Sequence, residues 1–138
     1  MRITNNTIHA PLRAALHVAD DAVSWYESGP VADLEFSSNV VVRRLAVAES
    51  PTHWDTAPVG ISPSNTKNAT VHRNLRILHN EIHLHRGGTA PVVAVKSTRG
   101  VTLADNRIYS PGRQLLPKQM VVQENCSDVV VRDNIVIS

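Results

Sequence analysis

Aromatic residues are scarce in this chain of 138 residues: two Trp, two Tyr and one Phe stand against nineteen Val and eight Ile. A core built with so few rings must be aliphatic, and β-branched side chains suit a pleated surface better than a helix. Cysteine is reduced to Cys126, which excludes an intramolecular disulfide. With no second thiol and no nearby His it makes no metal or nucleophile motif, so it reads as a passive buried or turn thiol. No apolar run approaches the roughly 20 residues needed to cross a bilayer. The N-terminal stretch Met1-Arg2-Ile3-Thr4-Asn5-Asn6 also lacks the apolar segment of a signal peptide. The expectation is a soluble chain with no membrane partner, cytoplasmic as given. A concentrated charge is missing as well: net charge is +2, and the fourteen basic residues are spread along the sequence. That leaves no stripe of the kind that grips a phosphate backbone, so nucleic acid is not an expected partner.

No segment sustains a period near 3.6, and Pro or Gly interrupts the chain throughout, which disfavours helices. What recurs is a short pattern of apolar, any, apolar, two residues, Asn, any, apolar. Its Asn residues are Asn6, Asn39, Asn80, Asn106 and Asn134. Three residues before each stands Ile3, Phe36, Ile77, Leu103 or Val131, and two residues after it Ile8, Val41, Ile82, Ile108 or Val136. The intervals between the Asn residues are 33, 41, 26 and 28. The two longer ones contain insertions over a common coil of roughly 22 to 28 residues, a period of coiled and stacked architectures. Between copies lie further alternating stretches at Ala15 to Val18, Val59 to Ser62, Val92 to Lys96 and Met120 to Val122. Each coil therefore supplies at least two short strands joined by polar bends. Leu is too rare at the required places for a leucine-rich repeat. The fold expected is all-β, a single domain over residues 1–138: a single-stranded, right-handed parallel β-helix of about five coils.

At a tight bend Asn tolerates left-handed backbone angles, and its amide can bond the equivalent Asn one coil away to form a structural ladder. The residues preceding the five Asn are Asn5, Ser38, His79, Asp105 and Asp133. They read as bend residues facing water. The first and last copies fall at the ends of the sequence, leaving uncapped coils with unpaired backbone groups and an apolar lumen. A homo-oligomer joined through the end coils is expected on that ground.

Chemistry belongs in the insertions. The richest is Asp20-Asp21-Ala22-Val23-Ser24-Trp25-Tyr26-Glu27. Asp20, Asp21 and Glu27 are candidates for acid, base or hydroxyl acceptor, and Trp25 and Tyr26 are candidates for stacking on a pyranose. The same residues also make an ordinary surface loop whose aromatics pack over the coil. The alternation of His79, Glu81, His83 and His85 would place four polar side chains on one strand face. His83 and His85 are the weak candidates for a metal, but a solvated outer face accounts for them better, so no metal or cofactor is assigned.

The stretch Ala14-Ala15-Leu16-His17-Val18-Ala19-Asp20-Asp21, followed by Trp25-Tyr26-Glu27-Ser28-Gly29-Pro30-Val31, resembles a region of glycoside hydrolase family 110. So does Ile61-Ser62-Pro63 together with His72-Arg73-Asn74-Leu75-Arg76-Ile77. The resemblance covers most of the chain and corresponds to the later coils of that family's β-helix. It implies kinship with metal-independent, inverting α-1,3-galactosidases and adds His72 and Arg73 as candidate glycan contacts. Family members are several times longer, and their paired catalytic aspartates precede the matched segment. The function expected is therefore a non-catalytic, self-associating and glycan-binding module. The alternatives are a glycoside hydrolase completed by oligomerisation, or a structural or metal-binding β-helix.

Overall fold

Each repeated Asn occupies the second place of a two-residue bend whose first residue is left-handed: φ is 60° at Asn5, 55° at Ser38 and His79, 57° at Asp105 and 53° at Asp133. Short polar side chains adopt that conformation at little cost, which is why these types recur there. The computed structural model describes residues 1–9, 14–19, 30–43, 56–62 and 71–138.

Before each bend runs a strand of the first sheet: β1 (Arg2–Thr4), β4 (Ala32–Ser37), β7 (His72–Leu78), β10 (Thr98–Ala104) and β13 (Ser127–Arg132). After it runs a strand of the second: β2 (Thr7–His9), β5 (Val40–Val42), β8 (Glu81–His83), β11 (Arg107–Tyr109) and β14 (Ile135–Ile137). A third sheet holds β3 (Leu16–Val18), β6 (Val59–Ile61), β9 (Val93–Lys96) and β12 (Val121–Glu124). The pairings among these strands are parallel. The chain visits the three sheets in turn, an arrangement consistent with a parallel β-helix. One helical turn, α1 (Pro117–Met120), precedes β12. Pro117 starts it, where a missing N–H costs nothing, and the Leu116 N–H donates to Gln119 Oε1 at 2.9 Å.

Register turns the sequence pattern into a core. Ile3, Phe36, Ile77, Leu103 and Val131 lie side by side across the first sheet, and Ile8, Val41, Ile82, Ile108 and Val136 across the second. In the third, Leu16, Val59, Val93 and Val121 align. All of these belong to, or pack against, one apolar cluster. Burying such a side chain contributes about 1.5–3 kcal/mol, so the file-by-file stacking of aliphatics supplies the main driving force in the near absence of rings.

Candidate functional site

The bend between the first and second sheets carries the most developed cluster of polar side chains among the described residues. Because β8 and β11 pair with Glu81 opposite Arg107 and His83 opposite Tyr109, the polar stretch around Asn80 lies directly beside the one around Asn106. His79, Glu81, Asp105 and Arg107, with Asn80 beneath them, line a surface depression of about 270 Å³.

Each member is held by a different means. His79 and Asp105 are exposed at left-handed bend positions. Their backbone N–H groups donate to Ala104 O at 3.3 Å and Arg132 O at 3.4 Å. Glu81 Oε1 lies 2.6 Å from His83 Nε2, and the His83 ring stacks on Tyr109 with centroids 4.3 Å apart and planes 5° from parallel. Asp105 Oδ2 stands 3.7 Å from Arg132 Nη1, which bonds Asp133 Oδ2 more closely at 2.6 Å. That bond to Asp133 and the charge of Asp105 raise the pKa of Arg132. Arg107 forms no ion pair among the described residues.

Beneath the cluster the Asn side chains bond to one another. Asn80 Oδ1 accepts from the Asn39 N–H at 2.9 Å and Asn39 Nδ2 at 3.1 Å, while Asn80 N–H and Nδ2 donate to Asn106 Oδ1 at 2.9 and 3.0 Å. Asn6 donates in the same way to Asn39, and Asn106 to Asn134. Asn80 is 1 % exposed, so these amides hold the bends from inside.

Of the sequence candidates, Asp20, Asp21, Trp25, Tyr26 and Glu27 lie outside the described residues. His72 and Arg73 point opposite ways from β7. The His72 ring is buried, with Nδ1 accepting the Val31 N–H at 3.0 Å, whereas Arg73 is exposed beside Arg99. Glu81 and His83 are brought into contact, while His85 falls beyond the end of β8. No group of three metal-ligating side chains forms among the described residues. Cys126 is a half-buried free thiol with Sγ 3.4 Å from Val95 O and 3.3 Å from Glu124 O. Burial pushes its pKa up.

Asp105, Arg107 and Tyr109 did not emerge from the sequence as partners of His79, Glu81 and His83. The signal was present: the interval of 26 between Asn80 and Asn106 superimposes the two triplets one for one.

The chain is similar to α-1,3-galactosidases. It is 29% identical over 134 residues to alpha-1,3-galactosidase A of Bacteroides thetaiotaomicron, a match covering 96% of this chain and 22% of that protein. Against alpha-1,3-galactosidase A of Bacteroides fragilis it is 36% identical over 109 residues, covering 77% and 17%. The protein of the same name from Peterkaempfera griseoplana is 34% identical over 110 residues, covering 78% and 14%. The chain thus spans between 14% and 22% of the length of these relatives. No family model matches it. The relationship to the galactosidases is distant and extends over most of this chain.

Proposed function

We propose that this polypeptide is a glycan-binding module derived from an α-1,3-galactosidase-like scaffold, non-catalytic as a separate chain and self-associating through its end coils. The observation that carries the reading is the match to proteins named α-1,3-galactosidase over 96% of the chain and 22% of the relative. Inverting hydrolysis needs a protonated carboxyl and a second carboxylate about 6.5–9.5 Å away with water between them. The two carboxylates that line the depression, Glu81 and Asp105, are engaged by His83 and approached by Arg132. A right-handed coil is the sense favoured for parallel strands joined by crossovers, and the five Asn residues give about five coils.

The test pairs binding with turnover. An oligosaccharide ending in α-1,3-linked galactose is titrated calorimetrically into the protein, and an aryl α-galactoside is assayed between roughly pH 4 and 8, the range in which carboxylate acid–base pairs work. Saturable heat without release of the aglycone is expected, together with a solution mass above the 15.1 kDa of one chain. Because the relatives carry the names of hydrolases, an oligomer with a completed active site is the second reading. Turnover lost in Asp20→Asn or Asp21→Asn would establish it in place of the first.

A further inference from the structure

We propose that the depression lined by His79, Glu81, Asp105 and Arg107 is a carbohydrate site in its own right, and that it takes one neutral, hydroxyl-rich pyranose ring. This rests on the glycan-binding reading and adds a location and a ligand class to it.

Charge decides against an ion. Glu81, Asp105 and Arg107 line the opening together, and Arg132 behind Asp105 at 3.7 Å is held more closely by Asp133, so groups of both signs meet at the opening. A phosphate or sulfate would meet the carboxylates of Glu81 and Asp105, and a metal cation the guanidinium of Arg107. A hydroxyl suits both, since it donates to a carboxylate and accepts from a guanidinium, whose N–H groups sit in a fixed fork. Two neighbouring hydroxyls of a sugar ring can therefore bridge Asp105 or Glu81 and Arg107.

Preorganisation separates this cluster from an ordinary polar surface. Left-handed conformation at His79 and Asp105 fixes where both side chains leave the wall, and the backbone N–H groups of Asn80 and Asn106 that follow them donate to Asn106 Oδ1 and Asn134 Oδ1. Glu81 is held by a ring that is itself packed face to face on Tyr109. Glu81 therefore has less side-chain freedom to lose on binding, the usual cost of ordering an interface. One face of Tyr109 is covered by His83, so recognition falls to the polar groups rather than to that ring face.

Size and border fit a single ring. A volume of about 270 Å³ lies just under the roughly 300–1,000 Å³ of pockets for drug-sized ligands. Across the strands the charged pair is flanked by Val40 on one side and Ile135 on the other. Ile135 is 58% exposed, offering an apolar edge to the C–H face of the ring. The other copies of the bend lack the pair: the places of Glu81 and Arg107 are taken by Thr7, Val40 and Ile135.

The experiment is an amide-shift titration of the isotopically labelled full chain with methyl α-galactopyranoside, methyl α-glucopyranoside and galacturonate. Saturable shifts at residues 79–81 and 105–107 with a neutral glycoside are expected, with Kd in the millimolar range. Asp105→Asn and Arg107→Ala should each raise Kd about tenfold, the typical effect of losing a hydrogen bond to a charged group. Asn adopts left-handed angles readily, so Asp105→Asn keeps the bend and an unchanged melting curve verifies that it does. Shifts confined to other amides would overturn this site while leaving the glycan-binding reading intact. Absence of shifts with every sugar would overturn this site, and absence of heat with the α-1,3-galactose-terminated oligosaccharide as well would overturn both. Tighter binding of galacturonate at these amides would overturn the assignment of a neutral ligand.

Discussion

Asn80 shows why one residue type recurs at the bend. Its side chain meets a donor pair from Asn39, the acceptor Asn106 Oδ1 at 3.0 Å and the carbonyl of Phe36 at 2.9 Å, all in a buried setting. Alanine there would strand the Asn39 N–H and the Phe36 carbonyl away from water, while Asn106 Oδ1 would keep the backbone N–H of residue 80. Leaving such groups unpaired costs about 1–3 kcal/mol each before relaxation, so Asn80→Ala should lose about 2–4 kcal/mol in urea unfolding. Asn6 makes the same kind of bonds at an exposed position, where water can replace them, and Asn6→Ala should lose less than about 1 kcal/mol. Equal losses for the two variants would mean that the amide contacts do not stabilise the fold. The Asn residues were legible in the sequence because the same side chain is needed in every copy. The residues before them were harder to read as a set, since Asn5, Ser38, His79, Asp105 and Asp133 share a backbone angle and not a chemistry.

Strands of the first sheet contain a second irregularity of the same kind. Asp33, Asn74 and Asp128 have φ of 55°, 53° and 56°, and Gly100 has φ of 75°. Each stands six residues before its Asn and immediately before a core residue, Leu34, Leu75, Val129 or Val101. Asp33 Oδ1 accepts from Asn74 Nδ2 at 2.6 Å, so neighbouring copies are tied at this kink as well as at the bend. The pattern was written in the sequence as Asp, Asn or Gly, and went unread because it is a class of residues rather than one residue. The consequence is testable at Gly100. A Cβ there would lie 3.6 Å from the Asn74 backbone N, an ordinary contact, so backbone angle alone sets the outcome. Gly100→Ala should destabilise by about 1 kcal/mol and Gly100→Asn by less than half of that. If both variants melt together, the left-handed angle is not what the position selects. The third sheet was equally legible as alternating apolar stretches, whereas the site on the second sheet required knowing which strand lies beside which. Register brings Arg107 to Glu81 and Tyr109 to His83, and register is a property of the coil length rather than of any local motif.

In the whole molecule each strand pairs only with its counterparts in the preceding and following copies, so stability adds along one axis as in other solenoids. The middle of that axis is dry: Phe36, Ile77, Ile82, Leu103 and Ile108 are fully buried, whereas Ile3, Ile8, Val129, Val131 and Val136 are only partly covered. Local opening should follow this gradient. Hydrogen exchange measured at low protein concentration is expected to be slowest in β7, β8, β10 and β11 and faster by about a hundredfold in β1, β2 and β14, equivalent to about 3 kcal/mol of local stability. A single exchange rate throughout would show one cooperative unit and contradict the additive picture. The same measurement bears on self-association. The proposed docking of one chain's end coils on another would pair the strand edges of β1, β2 and β14. Protection of β1, β2 and β14 should then rise with protein concentration by mass action, while that of β7 and β10, already enclosed, stays fixed. Concentration-independent exchange at both ends would remove the end coils as the contact.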